Sequence, residues 1–151
     1  MSIEVTVIYC RPILLVLYLA VQIAGCGESG PPLTATGVVA FAPLPGSEVS
    51  AAYLTLHNHS QEALTIRQVS SPEFAKVEIH ESMTINDVIR MRRLDSLTLD
   101  AGTSTRFVAG GKHLMLIEPV NGLAPGKSVT LQFEYNAGGI LIVNTQLQTR
   151  M

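Results

Sequence analysis

The sequence has no tryptophan, and four Phe and four Tyr bring the aromatic share to only 5%. That is too little for a platform on which single-stranded nucleic acid stacks its bases. Charge is scarce too. Charged residues make up 15%, with 10 Lys+Arg against 12 Asp+Glu and a net charge of −2. No basic stripe is visible, so a nucleic-acid partner is excluded. With 47% hydrophobic residues, a disordered charged chain is excluded as well. There are two cysteines, Cys10 and Cys26, and no C-x-x-C. Thiol–disulfide exchange and the His/Cys/Met blue-copper centre are therefore ruled out. Nucleophile elbow, paired-carboxylate motif, phosphate loop and H-E-x-x-H are all missing, and His80-Glu81-Ser82 make no recognisable triad. The chain reads as a protein that is not an enzyme. At 151 residues it has room for one domain.

The one long apolar run is Ile13–Ala24, broken by Gln22 and preceded by Arg11. It is shorter than the ~18–20 residues a spanning helix needs and suits the core of a signal peptide. It ends in Ile23-Ala24-Gly25-Cys26, which resembles the lipobox of bacterial lipoproteins. Residues 1–25 are thus expected to be a signal peptide and Cys26 a lipidated N-terminus. The alternative is an uncleaved anchor helix, for which Glu4 and the single Arg of the leader speak. Either way the remainder lies outside the cytoplasm. Residues 26–34, with the sequence Gly27–Leu33 (GESGPPL), read as a tether to a membrane. Glu28 stands where an Asp resembles an inner-membrane retention signal, which favours the outer membrane in a host with two. The mature chain then has neither free thiol nor disulfide, so it is held by its own core.

Residues 35–151 read as an all-β domain. Short β-rich runs recur: Thr36–Phe41, Ala51–His57, Leu64–Val69, Lys76–His80, Val88–Leu94, Thr105–Val108, His113–Ile117, Ser128–Tyr135 and Ile140–Val143. Turn signals separate them, among them Pro45-Gly46, Asn86-Asp87, Gly110-Gly111 and Gly138-Gly139. In Ser128–Tyr135 apolar and polar residues alternate, as in a half-buried antiparallel strand. Eight or nine strands imply a sandwich or a barrel-like Greek key.

Chemistry is concentrated in His and Met. His113 and Met115 are two apart on one expected strand, so they share a face. His80 closes a second strand and Met91 lies in a third. Two imidazoles and two thioethers can thus converge from three strands. Neutral thioethers select Cu(I) over hard cations, and two of them argue against zinc. Weak donors at an exposed rim suit a carrier that must give its ion up.

The spacing His80-x10-Met91-x21-His113-x-Met115 resembles the H-x10-M-x21-H-x-M signature of periplasmic copper chaperones of the PCu(A)C type. The flanks are similar too: Ala51-Ala52-Tyr53-Leu54-Thr55-Leu56 followed by Asn58, Val77-Glu78-Ile79-His80-Glu81, Val88-Ile89-Arg90-Met91-Arg92, and Gly110-Gly111-Lys112-His113-Leu114-Met115-Leu116. The resemblance runs from about Val38 to Phe133. It implies a cupredoxin-like Greek-key β-barrel or sandwich that binds one Cu(I) through His80, Met91, His113 and Met115. The implied partner is a copper-acceptor protein, a cytochrome oxidase subunit receiving its Cu(A) centre or a Sco-like assembly factor. The chain would act as a monomer beside the membrane. Ile89 stands where many members carry an extra Met, and Lys112, a cation that would either lower copper affinity or ease release, replaces a common aromatic.

Plainer readings stand beside these. Met83 is either an auxiliary ligand or an ordinary loop Met. His57 and His59 make either a weak metal site or a polar turn. Arg90, Arg92 and Arg93 form either a docking rim for an acidic partner or a solvated strand face. The competing function is a metal-independent β-sandwich lipoprotein that docks an envelope partner.

Overall fold

The computed structural model describes residues 30–150 apart from Asn121. The expected signal peptide, Cys10, the expected lipidation site Cys26 and the first part of the expected tether lie outside the described residues. No helix among the described residues is long and apolar enough to cross a membrane.

Ten strands follow one another: β1 (Leu33–Phe41), β2 (Val49–Asn58), β3 (Leu64–Ser70), β4 (Phe74–Ile85), β5 (Val88–Leu94), β6 (Leu97–Leu99), β7 (Ser104–Phe107), β8 (Lys112–Pro119), β9 (Ser128–Tyr135) and β10 (Gly139–Gln148). They hydrogen-bond in one path, β5-β4-β8-β2-β1-β10-β9-β3-β6, with β7 pairing β2 beside it. Strands β1 and β10 run parallel where Ala40 meets Leu147 and Phe41 meets Gln148. At this joint the path folds over, so β5-β4-β8-β2-β1 faces β10-β9-β3-β6. Period-two alternation supplies the apolar lining between them. Leu54, Leu56, Leu114 and Leu116 from the first sheet share one cluster with Val129, Leu131 and Phe133 from the second. Each such side chain contributes about 1.5–3 kcal/mol on burial.

The architecture is the all-β cupredoxin-like one expected, with four differences. The path ends at two free edges, β5 and β6, so it is an open sandwich and not a closed barrel. The tenth strand is β6, only three residues long and too short to signal itself; its two leucines are buried. Strand β1 begins at Leu33, inside the expected tether, because Leu33 is buried and Leu33–Thr36 pair with Thr55–Asn58 of β2. Strand β4 runs on past His80 to Ile85, so His80 is mid-strand. The extension is carried by β5, whose register with β4 is unbroken from Ile79↔Leu94 to Ile85↔Val88. Asn86 and Asp87 close that hairpin with φ of 51° and 60°. Both are left-handed, as a two-residue turn matching strand twist requires, and Asn and Asp tolerate that region best after glycine.

Candidate metal centre

Strands β5, β4 and β8 lie side by side at one end of the path. The core-facing residues of β4 and β8 are Val77, Ile79, Leu114 and Leu116. Alternation therefore sends His80, His113 and Met115 to the outer face. His80 and His113 are direct cross-strand partners, with ring centroids 5.9 Å apart. Met115 pairs with Glu78 one step along the sheet. Met91 pairs with Ser82 one step the other way. Met91, His113, Met115 and Ser82 line one groove of about 270 Å³, together with Ala109, Gly110 and Arg150 among others. Met91 is 52% exposed on the free edge, whereas His113 is buried and Met115 half-buried. The structure thus brings the four expected side chains onto one face, three of them around one groove with His80 beside His113.

Each imidazole is held by one nitrogen. His80 Nε2 lies 2.8 Å from Glu78 Oε2. An ionised carboxylate only accepts, so Nε2 carries the proton of the neutral ring. Glu78 is kept ionised by Lys76, which also hydrogen-bonds it at 2.6 Å. Lys76, then His80 and Arg93, hold its pKa at about 2 against the desolvation that would raise it. His113 Nδ1 lies 3.1 Å from the carbonyl oxygen of Gly111, which also accepts from the Ser82 amide. A carbonyl cannot donate, so Nδ1 carries the proton there. Strand-loop geometry makes this contact: the turn Val108–Gly111, with Gly110 at φ 77°, brings the Gly111 carbonyl back under the ring. One nitrogen of each ring is left with a free lone pair.

Other expected residues do not join. Met83 is the cross-strand partner of Arg90. Alternation along the unbroken register sets it on the face opposite His80, so it is not brought to the groove. Lys112 lies on that opposite face as well. Its Nζ is 2.8 Å from Glu81 Oε1, and Arg92 binds the other oxygen of the same carboxylate. Lys112, then Arg92, lower the Glu81 pKa. The charge of Lys112 is thus met by Glu81 on the face away from the groove. His57 and His59 form a polar turn. His57 hydrogen-bonds Thr36 and Ser104, and His59 bonds Thr34. Between them Asn58 is buried and donates to the carbonyls of Glu62, Leu99 and Asp100. Among the described residues no group of three or more His, Cys, Asp or Glu makes a metal cluster. The residue missed by sequence reasoning is Glu78. Its signal was available: two residues before His80 on one strand, it had to share the same face.

The LpqE-like family matches residues 33–147, the span from the first buried residue of β1 to the last of β10. The chain belongs to the LpqE-like family. A curated relative, the uncharacterized protein RP573 of Rickettsia prowazekii (strain Madrid E), is 28% identical over 99 residues. That stretch is 65% of this LpqE-like chain, and it spans only about half, 55%, of the relative. Among solved structures, the copper-bound PCuAC domain from PmoF2 superposes with a TM-score of 0.64 at 17% identity, covering 80% of this chain and 95% of that one. The solution structure of CuI-DR1885 from Deinococcus radiodurans gives 0.64 at 21% identity, over 83% and 85%. The LpqE-like fold seen here is therefore the PCuAC fold, in line with the resemblance read from the sequence.

Proposed function

We propose that this LpqE-like protein is an extracytoplasmic copper carrier that holds one Cu(I) through His80, Met91, His113 and Met115. The observation that carries the reading is the pair of imidazoles, adjacent on one face, each with its N–H committed and its other nitrogen free. Two thioethers beside them make a soft, neutral donor set that suits Cu(I) and leaves the bound site with a charge of +1. The copper-bound state of the PmoF2 domain and the CuI form of DR1885 support the same cargo. Met91 stands one step along the sheet from the histidines, on a free edge. Its unbranched side chain has the torsional freedom to reach in or swing away. Release by ligand exchange at that exposed thioether is the natural route to an acceptor. The acceptor class is a copper-enzyme assembly pathway, such as the Cu(A) site of a cytochrome oxidase subunit or a Sco-like factor. The lipoprotein description of the LpqE-like family supports a lipid anchor at Cys26 and a place outside the cytoplasm. The protein carries and does not catalyse.

The test is a Cu(I) competition titration of the full chain beside a His113→Ala/Met115→Ala variant, with X-ray absorption on the loaded protein. The expected result is one Cu(I) per chain bound through sulfur and imidazole, lost in the variant. Equal binding by both refutes the site. The docking module then leads, favoured by the exposed Ile85, Val88 and Ile89 at the hairpin end, Ile89 being 75% exposed.

A further inference from the structure

Among the described residues, one buried side-chain nitrogen or oxygen lacks a hydrogen-bond partner: His80 Nδ1. An unpaired buried polar atom is costly, and native proteins rarely keep one without a use. The other histidines show what is usual here. Both nitrogens of His57 are bonded to hydroxyls, and His59 Nε2 is bonded to Thr34. A simple ring flip would not remove the orphan. It would set the ring carbon Cε1 where Nε2 now meets Glu78 and so forfeit that hydrogen bond.

The geometry points to an asymmetric donor pair: His80 offers Nδ1 and His113 offers Nε2, with Glu78 as the positioning residue that fixes the first and the Gly111 carbonyl fixing the second. This deepens the carrier reading and rests on it. Glu78 is suited to the task because it does not swing freely. Its Oε1 is 2.6 Å from Lys76 Nζ and 3.2 Å from Arg93 Nη1, while Oε2 is left for His80. Lys76 and Arg93 come from its own strand and from β5, so the carboxylate is held from two strands. A ring whose N–H is anchored is both oriented and made a better donor at its other nitrogen. The consequence is a division of labour among side chains on one face. His80 and His113 are preset before the ion arrives, and Met91 and Met115 adapt to it.

The experiment is long-range ¹H–¹⁵N correlation of the histidine rings in the full chain, at about pH 8 so that unperturbed imidazoles are neutral. Spectra are taken without metal and with one equivalent of Cu(I), which is diamagnetic. In the metal-free protein His80 should be the Nε2–H tautomer and His113 the Nδ1–H tautomer. Copper should then shift His80 Nδ1 and His113 Nε2. Glu78→Leu should scramble the His80 tautomer, leave that of His113 alone and weaken Cu(I) binding about 10–100-fold. Glu78→Gln keeps an acceptor oxygen and should largely preserve both. His80 found as the Nδ1–H tautomer overturns the inference. So does copper that shifts His80 Nε2, and in these two cases the carrier reading stands; copper that binds while leaving His80 untouched overturns the inference and also removes His80 from the carrier's ligands. Absence of any Cu(I) binding overturns the carrier reading and the inference with it.

Discussion

Glu78 also makes the fold itself sensitive to acid, and the size of the effect can be worked out. In the folded protein its pKa falls from 4.5 to about 2. An unfolded chain loses the Lys76, His80 and Arg93 contacts, and the group returns to its ordinary value. Between those two pH values the unfolded state binds more protons than the native state, so stability drops as pH falls. The contribution is complete above pH 4.5 and gone by about pH 2. Taken at face value, a shift of about 2.5 units corresponds to about 3.4 kcal/mol. Glu78 itself is 12% exposed, but the Lys76 and Arg93 side chains are 56% and 52% exposed, so solvent screens the pairing. A net value of about 1–2 kcal/mol is expected. The measurement is urea unfolding of the metal-free protein at several pH values between 6 and 2, for the wild type and Glu78→Gln. The amide keeps the shape but cannot titrate. The wild type should be the more stable by about 1–2 kcal/mol at pH 6, and the two should converge toward pH 2. Glu81 also has a lowered pKa, but it is present in both proteins and cancels. A gap that is absent, or one that stays constant across the range, would refute the reasoning.

Two further outcomes follow from the register and the turn. Met83→Ala should leave Cu(I) affinity unchanged, because the side chain is on the far face of β4. Met91→Ala should lower affinity by at least about tenfold, the scale that even outer-shell partners command; competition titrations of the two variants decide it. Asn58→Ala removes a buried amide that donates to three carbonyls and accepts twice from Ser60. Chemical denaturation should show a loss of about 2–4 kcal/mol, and a loss under 1 kcal/mol would mean that water replaces the amide freely.

Much of the fold was legible because period-two alternation is written directly into β2 and β9. The pairing partners were not. Nothing local in Lys76–His80 says that β8 will lie on one side and β5 on the other, since register is a property of the closed sheet. The four ligand candidates were legible through their spacing, and the sheet explains why that spacing works. It sets His80 against His113 and leaves Met91 and Met115 one step away on opposite sides. The role of Glu78 was hidden for another reason. A carboxylate two residues from a histidine is ordinary on any solvated strand. Only the folded ring, with one nitrogen engaged and the other buried and bare, gives it a meaning. For Met83 and Lys112 the strand period decides the face: odd spacing from His80 and His113 sets both on the side away from the groove.

The strand path of the open sandwich ends at β5 and at β6, and such edges invite a second molecule to add its own strand. The protein answers differently at each. Strand β6 is three residues long, too short to template anything. Strand β5 has seven residues, exposed along nearly all its length. Three of the seven are arginines, Arg90, Arg92 and Arg93. Arg92 and Arg93 are met by the carboxylates of Glu81, Glu78 and Asp95, so the edge is lined with ion pairs as well as backbone. Long charged side chains along an edge are a common way of discouraging strand addition. Met91 thus stands in the open between two residues, Arg90 and Arg92, of the kind that blunts an edge.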